Sequence, residues 1–233
     1  MPAGWEPAVR HEMLDANFSF INEEFFAAGV SPQQLDLLLA DGWRHFGTHF
    51  YRYNLGFHEL DIRRVVPLRI RLADFSLSKS QRRLMRRNDD LDVTIGDVEV
   101  DAGTHELFHR HKQRFKEGVP RSISDFLGTG PSPVDTREMR LFERCELRAI
   151  SYFDVAGTAV SGVYAMFEPS AAERGLGIFT MLKEIEFAVE KKKEFYYLGY
   201  SYSGSSFYDY KKRFRATEMF DWSGGWVPFA EPI

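Results

Sequence analysis

Leu147-Arg148-Ala149-Ile150-Ser151-Tyr152-Phe153-Asp154 and Thr158-Ala159-Val160-Ser161-Gly162-Val163-Tyr164-Ala165-Met166-Phe167 are two apolar runs of strand length, and the residues between them read as a hairpin turn. Glu173 to Lys192 follows, with Ile178, Met181, Leu182, Ile185 and Val189 at helical spacing on one face. Next comes an aromatic strand, Phe195-Tyr196-Tyr197-Leu198-Gly199-Tyr200-Ser201-Tyr202. A short helix is expected around Ser206 to Phe214 and a last strand near Ala216 to Trp222. The order hairpin, helix, strand, helix, strand predicts an α+β fold, with helices flanking a mixed, largely antiparallel sheet.

Outward from this stretch, residues 118–137 are rich in proline and glycine and read as a loop between two halves of the chain. Upstream, residues 12–40 are expected to be helical, with Ser31-Pro32 as a cap and first turn. Residues 43–53 read as one aromatic strand, and Val66, Leu68, Ile70 and Leu72 alternate with Arg69 and Arg71 in a half-buried strand. Ser78-Lys79-Ser80-Gln81 is a capping box that starts a helix near Lys79, and residues 103–117 form another helical segment.

Charge is uneven along the chain. The net value of −4 argues against a nucleic-acid binder, yet Arg63 to Arg87 holds nine basic residues against Asp74 alone, so that window carries +8 and the remainder −12. Lys79, Arg82, Arg83, Arg86 and Arg87 fall on one helix face, where they repel one another until a polyanion or neighbouring acids compensate them. Either phosphate binding or a solvated face with salt bridges fits that spacing. Aromatic residues make up 15% of the chain, ample for a large core. Cys145 is the sole cysteine, which excludes an intrachain disulfide and a cysteine-rich metal site; it is expected to be a buried structural thiol. The first residues carry no signal-peptide pattern and no run is long enough to span a bilayer, so a soluble cytoplasmic protein is expected.

Three further stretches bear on chemistry. Arg174-Gly175-Leu176-Gly177 opens a helix after a hairpin, where free N–H groups bind anionic or carbonyl oxygens. It lies close to the acyl-CoA pattern of N-acyltransferases, but Ala172 stands at that pattern's first position; a plain strand-to-helix turn fits equally. His105-Glu106-Leu107-Phe108-His109 matches H-E-x-x-H, without a third ligand: Lys112 and Phe115 occupy the places of the extended motif, and nothing singles out Glu138. The tyrosines of 196–200 with Tyr208, Tyr210, Lys211 and Lys212 read either as core plus a basic helix end, or as a slot that stacks a base or ribose beside phosphate.

Taken in order, several short stretches resemble the arginyl-tRNA–protein transferase family, which includes the bacterial aspartate/glutamate leucyltransferases. They are Gly42-Trp43-Arg44 through Tyr51-Arg52, Val66-Pro67-Leu68-Arg69-Ile70, Ser78 to Leu91, Ser161-Gly162-Val163-Tyr164, Arg174-Gly175-Leu176-Gly177, Tyr197-Leu198-Gly199-Tyr200, and Tyr210-Lys211 with Phe214 and Glu218. The chain departs from the family in lacking its cysteine cluster, and in Ala216 where the family tends to have proline. The resemblance implies a GNAT-like acyltransferase core over 138–233, a loop at 119–137, and an N-terminal helical and strand region over 1–118 packed on that core and carrying the basic helix. It implies transfer of an aminoacyl group from charged tRNA to the α-amino group of a protein N-terminus, marking that protein for degradation, with no metal or other cofactor and no membrane.

The reaction is aminolysis of an activated ester by an amine whose pKa is about 7.7–8.0, so positioning and oxyanion stabilisation suffice. On this reading Lys79, Arg82, Arg83, Arg86, Arg87 and Lys212 hold tRNA phosphates, together with Lys211. Arg174, Gly175 and Gly177 frame the terminal ribose or phosphate. Tyr200 and Tyr210 line the aminoacyl slot. Glu218 orients or deprotonates the acceptor amine, and Arg44 or Arg52 pairs with an acidic acceptor side chain. An acyl-CoA-dependent N-acyltransferase, or a non-catalytic binder of tRNA or protein N-termini, stands as the alternative.

Overall fold

The computed structural model describes residues 19–58, 61–116 and 118–229. In chain order the elements are β1 (Asn22–Phe26), α1 (Pro32–Ala40), β2 (Arg44–Phe46), β3 (His49–Tyr53), β4 (Leu55–His58), β5 (Asp61–Arg71), α2 (Lys79–Arg87), β6 (Asp92–Asp97), α3 (Ala102–Lys112), α4 (Ser124–Leu127), β7 (Thr136–Glu143), β8 (Glu146–Val155), β9 (Ala159–Phe167), α5 (Leu176–Glu190), β10 (Phe195–Tyr202), β11 (Thr217–Phe220) and β12 (Trp226–Pro228). One sheet runs β12-β11-β5-β10-β9-β8-β7-β6, with β4 paired to β5; a second runs β1-β3-β2. Every pairing is antiparallel except that of β9 with β10.

The deciding stretch folds as its pattern predicts. Period-two alternation along β8 sends Ala149 and Phe153 to one face of the sheet and Ile150 and Tyr152 to the other. Leu176, Phe179, Leu182 and Ile185 of α5 pack on the first face, and Leu107 and Phe108 of α3 on the second. Val189, expected on the buried stripe of α5, is instead exposed. The result is an α+β fold with helices on both faces of a mixed, largely antiparallel sheet. A helix whose following strand returns parallel to the hairpin strand before it is the GNAT-like layout implied by the resemblance. β5, from the N-terminal half, lies between β10 and β11, so strands from both sides of the 119–137 loop interleave in one sheet.

Several local expectations are corrected. The helix expected over 12–40 is a strand, β1, and then α1; residues 12–18 lie outside the described ones. β1 exists because it pairs along all five residues with β3, a long-range partner that overrides local preference. Ser31 caps α1 through a reciprocal bond with Gln34, as Ser78 does for α2 with Gln81. The single strand expected over 43–53 is the β2–β3 hairpin, turned at Gly47 with φ 52°. A Cβ at Gly47 would stand 2.8 Å from the Gly128 α-carbon, so only glycine fits there. The helix expected from Glu173 starts at Leu176, after a 3-10 turn over Pro169–Arg174 and Gly175 at φ 67°. The segment expected at 103–117 ends at Lys112, and the short helix near 206–214 is a 3-10 helix over Phe207–Arg213. Cys145 is exposed, contrary to expectation, because it lies in the β7–β8 hairpin turn. Among the described residues no helix is long and apolar enough to cross a membrane.

Candidate functional site

β9 and β10 pair over only three residues each, Ala159–Ser161 against Phe195–Tyr197. Each strand then carries an irregularity. On β9, Tyr152 faces Tyr164 while Phe153 faces Gly162, which leaves Val163 as an extra residue. On β10, Tyr197 faces Arg69 while Gly199 faces Leu68, which leaves Leu198 extra. Such bulges bend a strand and increase its twist. Beyond them the two strands separate, and the gap becomes a cavity of about 600 Å3.

Gly162 to Ala165 of β9 and Leu198 to Tyr200 of β10 form its sides. Ile178, Met181 and Glu184 of α5 also line it. Arg44, Tyr51 and Tyr53 come from the small sheet, and Tyr208, Tyr210 and Lys211 from the 3-10 helix. Gly175 and Gly177 line it as well.

Among the described residues, Arg44, Arg114 and Lys211 are the Arg and Lys side chains that line this space. Arg44 donates from Nη1 to Ser161 Oγ at 2.5 Å and from Nη2 to the Gly162 carbonyl, so it is anchored where β9 begins to diverge. Lys211 Nζ donates to the Tyr200 carbonyl at 2.9 Å. Burial, with the nearby charge of Arg44, pushes the Lys211 ammonium down to about 7. Gly199 takes φ 83°, a backbone conformation that favours glycine, and Lys211 and Arg44 both lie close to it: a Cβ there would stand 3.4 Å from Lys211 Nζ and 3.7 Å from Arg44 Nη2. The phenols stay protonated at neutral pH, since burial pushes Tyr51 and Tyr210 up to about 12 and Tyr200 higher still. Tyr200 Oη donates to the Gly42 carbonyl at 2.7 Å, so it holds the cavity wall.

Of the expected site residues, the structure gathers Arg44, Tyr200, Gly175, Gly177, Tyr210 and Lys211 around the cavity. The others stand outside it. Arg52 pairs with Glu23 at 2.7 Å and with Asp41, and its guanidinium lies 5.0 Å from the Trp43 ring centre. Arg174 bonds Asn88 at 2.9 Å, Glu143 at 2.5 Å and Asp90, which fastens the helix-opening turn to the end of α2. Lys212 is held by Asp209 at 2.8 Å.

Glu218 is buried at the β5–β11 pairing, away from the cavity lining. It accepts from Arg69 Nε at 2.7 Å and from Arg71 Nε at 3.0 Å. Burial raises its carboxyl, but bonds and charge from Arg71 and Arg69 outweigh that and hold it below the usual range. Both of its oxygens are therefore committed to guanidinium groups.

Lys79, Arg82, Arg83, Arg86 and Arg87 are exposed on α2, and none makes an ion pair among the described residues. Arg82 and Arg87 instead donate to the carbonyls of Leu77 and Glu173. The opposite, half-buried side of α2 reaches the cavity rim: a Cβ at Gly175 would meet Leu84 Cδ1 at 3.0 Å. His105, Glu106 and His109 are exposed on α3, and among the described residues no group of three or more His, Cys, Asp or Glu is placed to hold a metal ion.

Sequence reasoning missed Glu184, Tyr51 and Tyr53. Burial pushes the Glu184 carboxyl up to about 7, while its bond from Tyr196 works the other way. The signal for Glu184 was a carboxylate set between Met181 and Ile185 on the apolar stripe of α5. The tyrosines gave none beyond their aromatic strand.

Residues 9–83 match the N-terminal part, and residues 104–221 the C-terminal part, of the family described as arginine-tRNA-protein transferase. An aspartate/glutamate leucyltransferase of Stenotrophomonas maltophilia is 34% identical over 195 residues, covering 79% of this chain and 76% of that one. The protein of the same description from Pseudoalteromonas atlantica is 31% identical over 191 residues, covering 79% and 80%. Among solved structures, FemX overlays 85% of this chain and 68% of its own with a TM-score of 0.46 at 11% identity.

Proposed function

The chain belongs to the arginine-tRNA–protein transferase family and is an aminoacyltransferase, and we propose that it moves a leucyl group from charged tRNA to the N-terminal amine of proteins that begin with Asp or Glu. One observation carries this reading. The cavity joins an apolar floor to the half-buried cations Arg44 and Lys211, and its Gly175 rim packs against a helix with five exposed basic residues that make no ion pair among the described residues.

In this account the tRNA lays phosphates along Lys79, Arg82, Arg83, Arg86 and Arg87, where releasing counterions relieves the mutual repulsion of the face. The acceptor end passes Gly175 and Gly177 into the cavity. Ile178, Met181 and Leu198 offer an uncharged lining that suits an aliphatic side chain. Arg44, fixed by Ser161 and Gly162, pairs with the acidic side chain of the acceptor, and Lys211 stands beside it. Tyr210 donates from its protonated phenol to the carbonyl oxygen as negative charge develops there. Arg174 and Glu218 act at a distance, the first by holding the rim turn to α2 and the second by locking β11 to β5. The transfer marks its product for degradation.

The test is a transfer assay read by mass spectrometry, with peptides starting in Asp, Glu, Asn and Ala. Leucyl-tRNA, arginyl-tRNA and acetyl-CoA are offered as donors in turn. Leucyl addition to Asp and Glu peptides is expected. Acyl transfer from acetyl-CoA would support the N-acyltransferase alternative, and tight tRNA binding without any transfer would support the non-catalytic one.

A further inference from the structure

Glu184 is a buried acid that the reading above leaves without a task. It projects from the apolar stripe of α5 with 2% exposure, yet it lines the cavity. Its Oε2 accepts a hydrogen bond from Tyr196 Oη at 2.6 Å. The pair sits against Gly162, whose missing side chain keeps the cavity open at that point. A Cβ on Gly162 would stand 2.9 Å from Tyr196 Oη and 3.3 Å from Glu184 Oε2. The carbonyl of the same glycine holds the Arg44 guanidinium. Gly162 thus links the two groups: its α-carbon adjoins the Glu184–Tyr196 pair and its carbonyl anchors Arg44.

Burying a carboxylate costs free energy that hydrogen bonds or opposite charge must offset; Glu184 has the hydroxyls of Tyr196 and Ser151, whereas Glu218 is neutralised by two guanidinium groups. Resting on the transfer reaction proposed above, we infer that Glu184 is the proton acceptor for the attacking amine, with Tyr196 positioning it. The α-ammonium of the acceptor gives one proton to the Glu184 carboxylate. The freed amine nitrogen then forms a bond to the ester carbon while the bond from that carbon to the ribose oxygen breaks. The second proton of the nitrogen passes to the leaving ribose oxygen. Glu184 finally returns its proton to solvent, so an amide, an uncharged tRNA terminus and one proton result.

The ionisable groups that bear on Glu184 are Tyr196 of β10, Asp154 of β8 and Tyr210 of the 3-10 helix, with Arg44 acting on Tyr196. Burial pushes this carboxyl up to about 7, so an ionised fraction, the form that accepts a proton, is present at neutral pH.

The experiment compares the wild-type chain with Glu184→Gln and Tyr196→Phe, using leucyl-tRNA and an Asp-initiated peptide. Single-turnover rates are followed from about pH 5.5 to 9, and tRNA affinity is measured separately. Glu184→Gln keeps the side chain's shape and its bond from Tyr196, and should slow transfer by roughly 100-fold or more with tRNA affinity unchanged. Tyr196→Phe removes a bond that favours the ionised acid, so it should move the rising limb of the rate profile to higher pH. A Glu184→Gln rate within about threefold of wild type would overturn the proposal. So would a loss explained by KM alone, which is the mark of a binding group. If wild type transfers nothing to acidic N-termini, the functional reading itself fails. Infrared titration of the carboxyl then judges Glu184: a midpoint near 7 that rises in Tyr196→Phe supports a proton-accepting acid, and one below about 5 overturns it.

Discussion

Replacing Glu218 with Gln exchanges a charged oxygen pair for a neutral amide between two guanidinium groups. Arg69, 8% exposed, is the partner that suffers. The Arg71 side chain is 48% exposed and can turn to water or to Asp74. Breaking a buried ion pair costs about 3–5 kcal/mol, because the remaining charge is left uncompensated. Two features place this variant near 3 kcal/mol. Gln retains one acceptor oxygen, and Arg69 keeps the ring faces of Phe195 at 3.8 Å and Trp226 at 4.4 Å. In a domain of this size 1 kcal/mol corresponds to about 2–4 °C, so Tm should fall by roughly 6–12 °C at neutral pH. The folded carboxyl lies below its unfolded value, so its contribution is present above about pH 4.3 and is lost as pH falls through the folded value. The melting curves of wild type and Glu218→Gln should therefore converge toward pH 3. Thermal unfolding by circular dichroism across that range, with transfer measured per folded molecule, checks both halves of the reasoning. A Tm within about 2 °C of wild type, together with a hundredfold loss of transfer, would refute it and return Glu218 to the reacting atoms.

Reversing Arg82, Arg83 and Arg86 to Glu should weaken tRNA binding and lower the slope of log affinity against log salt by about 2–3, as measured by filter binding from 50 to 200 mM salt; an unchanged slope would remove α2 from the interface. Cys145 holds φ 68° after Arg144 at φ 49° in a two-residue hairpin loop, a conformation that favours glycine. Cys145→Gly should accordingly raise Tm by about 2–4 °C, and a lower Tm would contradict the strain assigned there. His45 Nε2 meets Asp154 Oδ2 at 2.9 Å, joining the small sheet to β8. Burial opposes its charge, but the charge and bond of Asp154 with the Gly47 carbonyl outweigh this and raise its pKa. That contribution is complete below about 6.5 and fades as pH rises through the folded value, so the stability gap between wild type and His45→Gln should be wider at pH 5.5 than at pH 8.5. A gap independent of pH, by urea denaturation, would contradict the linkage.

The hairpin, helix and strand of residues 147–202 were legible because period two and a helical stripe are local patterns. β1 was not, since Asn22–Phe26 becomes a strand only against β3. The candidate site divides the same way. The α2 face and the Gly175 turn were visible as spacing. The choice between Arg44 and Arg52 was invisible, because the hairpin places one beside Ser161 and the other between Glu23 and Asp41, all distant in sequence or set by pairing. Arg69 and Arg71 share a face of β5 and so call for an acid, but only the register of β11 shows that Glu218 answers them. Glu184 stood in plain view as an acid on an apolar stripe, and its meaning depended on where β9 and β10 part.

In the proposed reaction, the cavity between those strands reads an acidic N-terminus through Arg44. The ratio of kcat/KM for an Asp-initiated peptide over its Asn counterpart tests it most directly, measured with leucyl-tRNA in wild type and in Arg44→Met. A wild-type ratio of about 100 or more that collapses toward one in Arg44→Met, chiefly through the Asp peptide, is the expected result. An unchanged ratio in Arg44→Met would place the acceptor somewhere other than this cavity.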